Sequence, residues 1–145
     1  MLCARVLALC CLCGLMAMSA SAADAAKPKS IEDAVVKAVD PLVEKALTAY
    51  NAGDWKAFFA DYAKSMAAIA NEQTYKALYG RYMETFGKYV SRTLVAERSS
   101  GKPDVPGLLS YDAEFEKNKK VRIDVNYLPE EGALKLMQVQ FNAAK

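Results

Sequence analysis

At 145 residues the chain has room for about one domain. Its 19 lysines and arginines nearly match its 17 acidic residues, so it lacks the basic footprint of a nucleic-acid-binding protein. It contains no histidine, and its four cysteines (Cys3, Cys10, Cys11 and Cys13) crowd its beginning.

That beginning reads as a secretory signal peptide. Arg5 is the only charge before Asp24. An apolar run follows from Val6 to Met18, and Ala20-Ser21-Ala22 offers a small-residue cleavage site. A retained anchor fits less well, because the stretch from Ala17 to Ala23 is only weakly apolar and no basic stop-transfer cluster follows it. Residues 1–22 are therefore assigned to the signal. The expected location is secreted or periplasmic, with no membrane contact after cleavage. The mature chain then has neither cysteine nor histidine. The usual zinc, iron and copper ligand sets are missing, as are Ser-His-Asp and Cys-His catalysis. No metal and no cofactor are expected.

Residues 23–29 are small, polar and Pro-containing, and form a flexible leader. The rest, 30–145, is one domain. Ser30 with Asp33 resembles a capping box. From there Ile31, Val35, Val39, Leu42, Val43, Leu47 and Tyr50 recur at helical spacing, up to Gly53. Pro41 predicts a kink or break within that helix. Asp54 caps a second helix, whose stripe is Trp55, Phe58, Phe59, Tyr62, Met66 and Ile69. Asn71 to Gln73 is a connector, and Thr74 caps a third helix that Gly87 ends. Gly80, inside that helix, suggests close approach of a neighbour.

Beyond Gly87 the pattern alternates. Strands are expected over 89–98, 108–116, 120–128 and 133–142. A turn at Lys117-Asn118-Lys119 sets Ala113 opposite Ile123 and Tyr111 opposite Val125. A three-residue turn, Glu130-Glu131-Gly132, sets Ile123 opposite Val139 and Leu128 opposite Leu134. One apolar sheet face results, available to three helices.

This order, with Leu47-Thr48-Ala49-Tyr50-Asn51-Ala52-Gly53-Asp54-Trp55, resembles small secreted members of the nuclear-transport-factor-two-like superfamily. The junction Phe86-Gly87-Lys88-Tyr89 is similar to one in a bacterial family of unknown function with that fold. The likeness spans about residues 40 to 142. It implies an α+β fold in which three N-terminal helices pack on one face of a curved four-stranded antiparallel sheet, like a cone. The superfamily includes isomerases, dehydratases, ligand-binding modules and assembly modules, so fold alone fixes no activity.

Three readings stand. In the first, an exported non-enzymatic binding module holds a small apolar ligand among Trp55, Phe59, Tyr62, Tyr79, Tyr82, Tyr111 and Tyr127, or a protein partner on its sheet. In the second, an isomerase- or dehydratase-type enzyme uses a carboxylate and a tyrosine. Asp61 falls off the apolar stripe and Asp112, Glu114 and Asp124 point away from the helices, which favours binding over catalysis. In the third, the chain is a homodimeric structural or assembly module. Leu108, Leu128, Leu134 and Leu136 are expected on the outer sheet face, where a second copy could cover them. The signal assignment has a direct check: N-terminal sequencing of the exported protein should begin at Ala23.

Overall fold

The computed structural model describes residues 31–144. The expected signal, the leader and Ser30 lie outside the described residues. Helices come first: α1 (Asp33–Ala52), α2 (Trp55–Phe59) and α3 (Glu72–Phe86). Four strands follow: β1 (Tyr89–Leu94), β2 (Gly107–Phe115), β3 (Val121–Glu130) and β4 (Ala133–Ala143). They form one antiparallel sheet in the order β1-β2-β3-β4. Among the described residues, no helix is long and apolar enough to cross a membrane.

The apolar repeat of α1 buries Val35, Val39, Val43, Leu47 and Tyr50 completely. Against them stand Leu109, Ile123, Val125 and Val139 of the sheet, also fully buried. The expected break at Pro41 does not occur, for α1 runs through it as one helix of 20 residues. Pro41 is exposed, so water can serve the carbonyl that its missing N–H leaves free. Gly53 ends α1 with a left-handed φ of 70°.

Asp54 caps α2 as its sequence suggests, accepting hydrogen bonds from the Lys56 and Ala57 amides. The second helix does not continue to Ile69, however. After Phe59 the chain leaves the helix, and Asp61 to Ala63 lie beside β4. The Leu136 amide donates to the Asp61 carbonyl at 3.0 Å, and the Ala63 amide donates to the Leu136 carbonyl at 2.8 Å. An edge strand needs partners for its backbone groups, and that need outweighs local helix propensity.

Asn71, not Thr74, caps α3, its side chain accepting from the Thr74 amide at 2.9 Å. Gly87 ends the helix at a φ of 76°. Gly80 permits no close approach: a Cβ built there meets nothing within 4 Å.

The expected registers keep the right faces but the wrong partners. Ala113 faces Val121 and Tyr111 faces Ile123, a slide of two residues. A slide of two leaves every side chain on its own face. Its cause lies in the connection between β2 and β3, which is longer than the expected turn. The Glu116 and Lys117 amides donate to the Lys88 and Phe86 carbonyls, both at 2.9 Å, so this stretch is tied to the end of α3.

The β3–β4 connection is a two-residue turn, with Glu130 opposite Ala133. Glu131 and Gly132 take φ values of 50° and 79°, the doubly left-handed geometry that matches strand twist. Val125 pairs with Val139, but Tyr127 pairs with Leu136, so Met137 is an extra, bulged residue. The bulge reverses the alternation. Leu134 and Leu136, expected on the outer face, turn inward: Leu136 is fully buried and Leu134 packs against the core.

Arg92 joins β1 to α1. Its side chain is 8% exposed and pairs with Asp40 at 3.0 Å and with Glu44. It also donates to the Tyr89 hydroxyl at 3.0 Å and sits 5.2 Å from the Tyr111 ring centre. The Asn51 side chain accepts from the Tyr89 amide at 2.8 Å and donates to its carbonyl at 2.9 Å.

The two glycines of α3 give opposite expectations. Gly80→Ala should stabilise the protein by about 1 kcal/mol, since alanine is the better helix former and has open space. Gly87→Ala should destabilise it, because φ is positive and the new Cβ would lie 3.0 Å from Glu116 Cβ. Urea denaturation of the two variants measures both effects.

Candidate functional site

A cleft of about 690 Å³ lies between the aromatic side chains around α2 and α3 and the part of the sheet next to the bulge. The sheet contributes Leu108, Asn126, Tyr127, Met137 and Gln138. Leu108 faces Asn126 and Asn126 faces Gln138 across the strands, making one continuous row. The helical side contributes Phe59, Tyr62, Met66, Ile69, Thr74, Leu78 and Tyr79. Ser100, Pro106 and Gly107 complete the lining.

Backbone requirements place these groups. The pairing of Asp61 to Ala63 with β4 fixes Tyr62 beside Leu136. The Tyr79 hydroxyl donates to the Val139 carbonyl at 2.7 Å and lies 3.4 Å from the Tyr62 hydroxyl. Phe58 packs beneath them with its ring centre 4.2 Å from that of Tyr79, and Tyr75 stacks on Tyr79 at 5.4 Å. Ile69 and Leu78, both in the lining, remain 45% and 37% exposed and so present adjoining apolar surface to the cleft.

The electrostatics are simple. Among the described residues that line the cleft, none carries a carboxylate, ammonium or guanidinium group. Burial pushes the Tyr62 and Tyr79 hydroxyls well above the usual tyrosine range. Burial, followed by the nearby Glu32 carboxylate, also raises Tyr127. At neutral pH these hydroxyls are uncharged. They are poor bases, and the Tyr79 proton is already given to the Val139 carbonyl.

Of the seven aromatic residues expected to form a pocket, the cleft gathers four: Phe59, Tyr62, Tyr79 and Tyr127. The other three sit elsewhere. Trp55 is half-buried, with the Lys56 ammonium 5.7 Å from its ring centre. Tyr82 packs between Phe86 and Phe141, at centre distances of 5.9 and 4.9 Å. Tyr111 is buried beside Arg92, and its hydroxyl donates to Asp40 at 3.1 Å.

The four leucines expected to form a partner surface do not form one exposed patch. Leu108 lines the cleft, and Leu128 is half-buried opposite Lys135 rather than Leu134. Leu134 and Leu136 belong to the core side because of the bulge. The carboxylates weighed for catalysis all lie outside the cleft. Asp61 pairs with Lys45 at 3.3 Å, Asp112 with Arg98, and Glu114 with Lys119 at 3.5 Å. Asp124 accepts from Ser110 at 2.8 Å and from Arg122 at 2.9 Å.

Met66, Ile69, Leu78 and Met137 escaped the sequence reading as cleft residues. Met66 and Ile69 fall on the second helix's apolar stripe, Leu78 matches the helical spacing of the third, and both patterns read as core, while Met137 becomes available only through the bulge. The chain matches no protein-family model, and its sequence matches no curated protein.

The buried hydroxyls carry a pH consequence. Unfolded tyrosines ionise near pH 10, whereas Tyr62 and Tyr79 do so only at higher pH in the fold. The folded state therefore holds more protons above pH 10, and stability must fall as pH rises through that range. Urea midpoints should be level with respect to these groups below about pH 9 and decline above about pH 10. The alkaline slope should be shallower in Tyr79→Phe.

Proposed function

We propose that the protein is an exported binding module, built on the cone-like fold of the nuclear-transport-factor-two-like superfamily, that holds a small, uncharged and largely apolar molecule in this cleft. One observation carries the reading. The lining is aromatic and aliphatic, with scattered hydroxyl and amide groups and no formal charge. A volume of about 690 Å³ suits a small-molecule site. The exposed Ile69 and Leu78 supply apolar surface that a guest would cover.

The alternatives have less support. An isomerase or dehydratase of the expected type would need a carboxylate near the cleft's tyrosines, and its lining has none among the described residues. Self-association through the four leucines loses Leu136 and Leu134 to the core side.

Titration with the neutral fluorescent probe Nile red tests the proposal. The protein should bind it with a blue-shifted, enhanced emission. Leu78→Glu should weaken binding at least about tenfold by bringing a charge to the apolar site. Because Leu78 is already 37% exposed, the variant should keep the parent's circular dichroism spectrum. Unchanged affinity in a folded Leu78→Glu protein would remove the cleft from consideration.

A further inference from the structure

Tyr127 has no exposed surface, and among the described residues its hydroxyl has no hydrogen-bond partner. Buried phenols ordinarily find a partner, and a buried donor without one is costly. Phenylalanine would fill the same space without that cost.

The surroundings of the hydroxyl are also particular. Gly107 faces Tyr127 across the strands, and both line the cleft. A Cβ added at Gly107 would come within 2.3 Å of the Tyr127 hydroxyl oxygen, and one at Gly101 within 1.8 Å. Glycine backbone therefore lies directly against the hydroxyl. Between the two glycines, residues 102–106 are all exposed. At the base of this loop, Ser100 and Leu108 exchange two backbone hydrogen bonds of 2.8 Å.

We propose that the cleft's ligand carries an uncharged hydrogen-bond acceptor of the carbonyl class, which receives the hydrogen bond of the Tyr127 hydroxyl when the 101–106 segment, with Gly101 against that hydroxyl, moves aside. This rests on the cleft reading above. The neutrality of the acceptor follows from the lining, which among the described residues offers no cation to pair with an anionic ligand end. A ketone, ester or amide oxygen needs none.

A matched pair of probes isolates the hydroxyl. Acetophenone and ethylbenzene have nearly the same shape and differ by one carbonyl. Their dissociation constants are measured by Nile red displacement on the parent and on Tyr127→Phe. The preference for acetophenone over ethylbenzene should fall about tenfold in the variant, with ethylbenzene binding unchanged. Benzoate should bind the parent more weakly than acetophenone does. Without ligand, Tyr127→Phe should melt at or above the parent's temperature, since it removes only an unpaired donor.

An equal preference in both proteins overturns the inference, as does stronger binding of benzoate. A lower melting temperature for Tyr127→Phe also overturns it, because the hydroxyl would then already have a partner. If Nile red binds the parent but neither small probe displaces it, the carbonyl inference fails and the cleft reading stands. If Nile red does not bind the parent, both fail.

Discussion

The free edge of β4 is the constraint on which much of this structure depends. A strand with a neighbour on one side presents backbone donors and acceptors on the other, and those near a core must be satisfied. Here the chain satisfies them itself. Asp61 to Ala63 pair with Leu136, and the Tyr79 hydroxyl takes the Val139 carbonyl. Both features carry a cost elsewhere: the second helix is cut to five residues, and a phenol must be buried. The returning chain holds Phe59 and Tyr62 beside the sheet, and the cleft lies where that chain, α3 and the bulged strand meet. The cleft is thus a by-product of closing an edge, and its neutral lining follows from the same source. Groups that satisfy a buried backbone without bringing charge are hydroxyls and peptides.

Arg92 solves a different problem on β1. Burial by itself would disfavour its charge, but Glu44, Tyr89 and Asp40 more than compensate, and the guanidinium is held more firmly protonated than usual. Its Nε has no partner among the described residues, so even this well-supplied cation is not fully satisfied. The two acids come from one face of α1, four residues apart. The ion-pair cluster therefore fixes the rotation of α1 relative to the sheet as well as its distance. The two acids are themselves half-exposed, so the cost of removing them falls on the buried guanidinium, which would be left charged with fewer partners.

Much of the fold was legible because periodicity is a local property. The stripe of α1, the cap at Asp54, the stop at Gly87 and the alternation of four strands all follow from neighbouring residues. What the sequence reading missed was set by distant partners. The register of β2 against β3 depends on bonds from Glu116 and Lys117 to the end of α3. The early end of α2 depends on Leu136, more than 70 residues later in the chain. The bulge at Met137 leaves only an ambiguous trace: Leu134 and Leu136 share one parity and Val139 and Phe141 the other, a break that an apolar patch on the outer face accounts for equally well. That single extra residue moved two leucines from an imagined partner surface to the core side. The cleft was half legible for the same reason: its aromatic residues could be listed, but which of them converge depends on where the second helix stops.

The Asn51 side chain has a consequence beyond local geometry. Its amide offers Tyr89 one donor and one acceptor, as a neighbouring strand's peptide group would. It acts as a one-residue counterfeit strand at the start of β1. Next to it Val90 is bulged out of register, which leaves only Ser91 to Leu94 in regular pairing with β2. Unprotected strand edges recruit strands from other molecules and seed fibrous aggregates. With β4 occupied by its own chain and β1 blocked at one end, the sheet offers a template too short to propagate. A side chain on the end of a helix thus shortens the edge that a second molecule could extend.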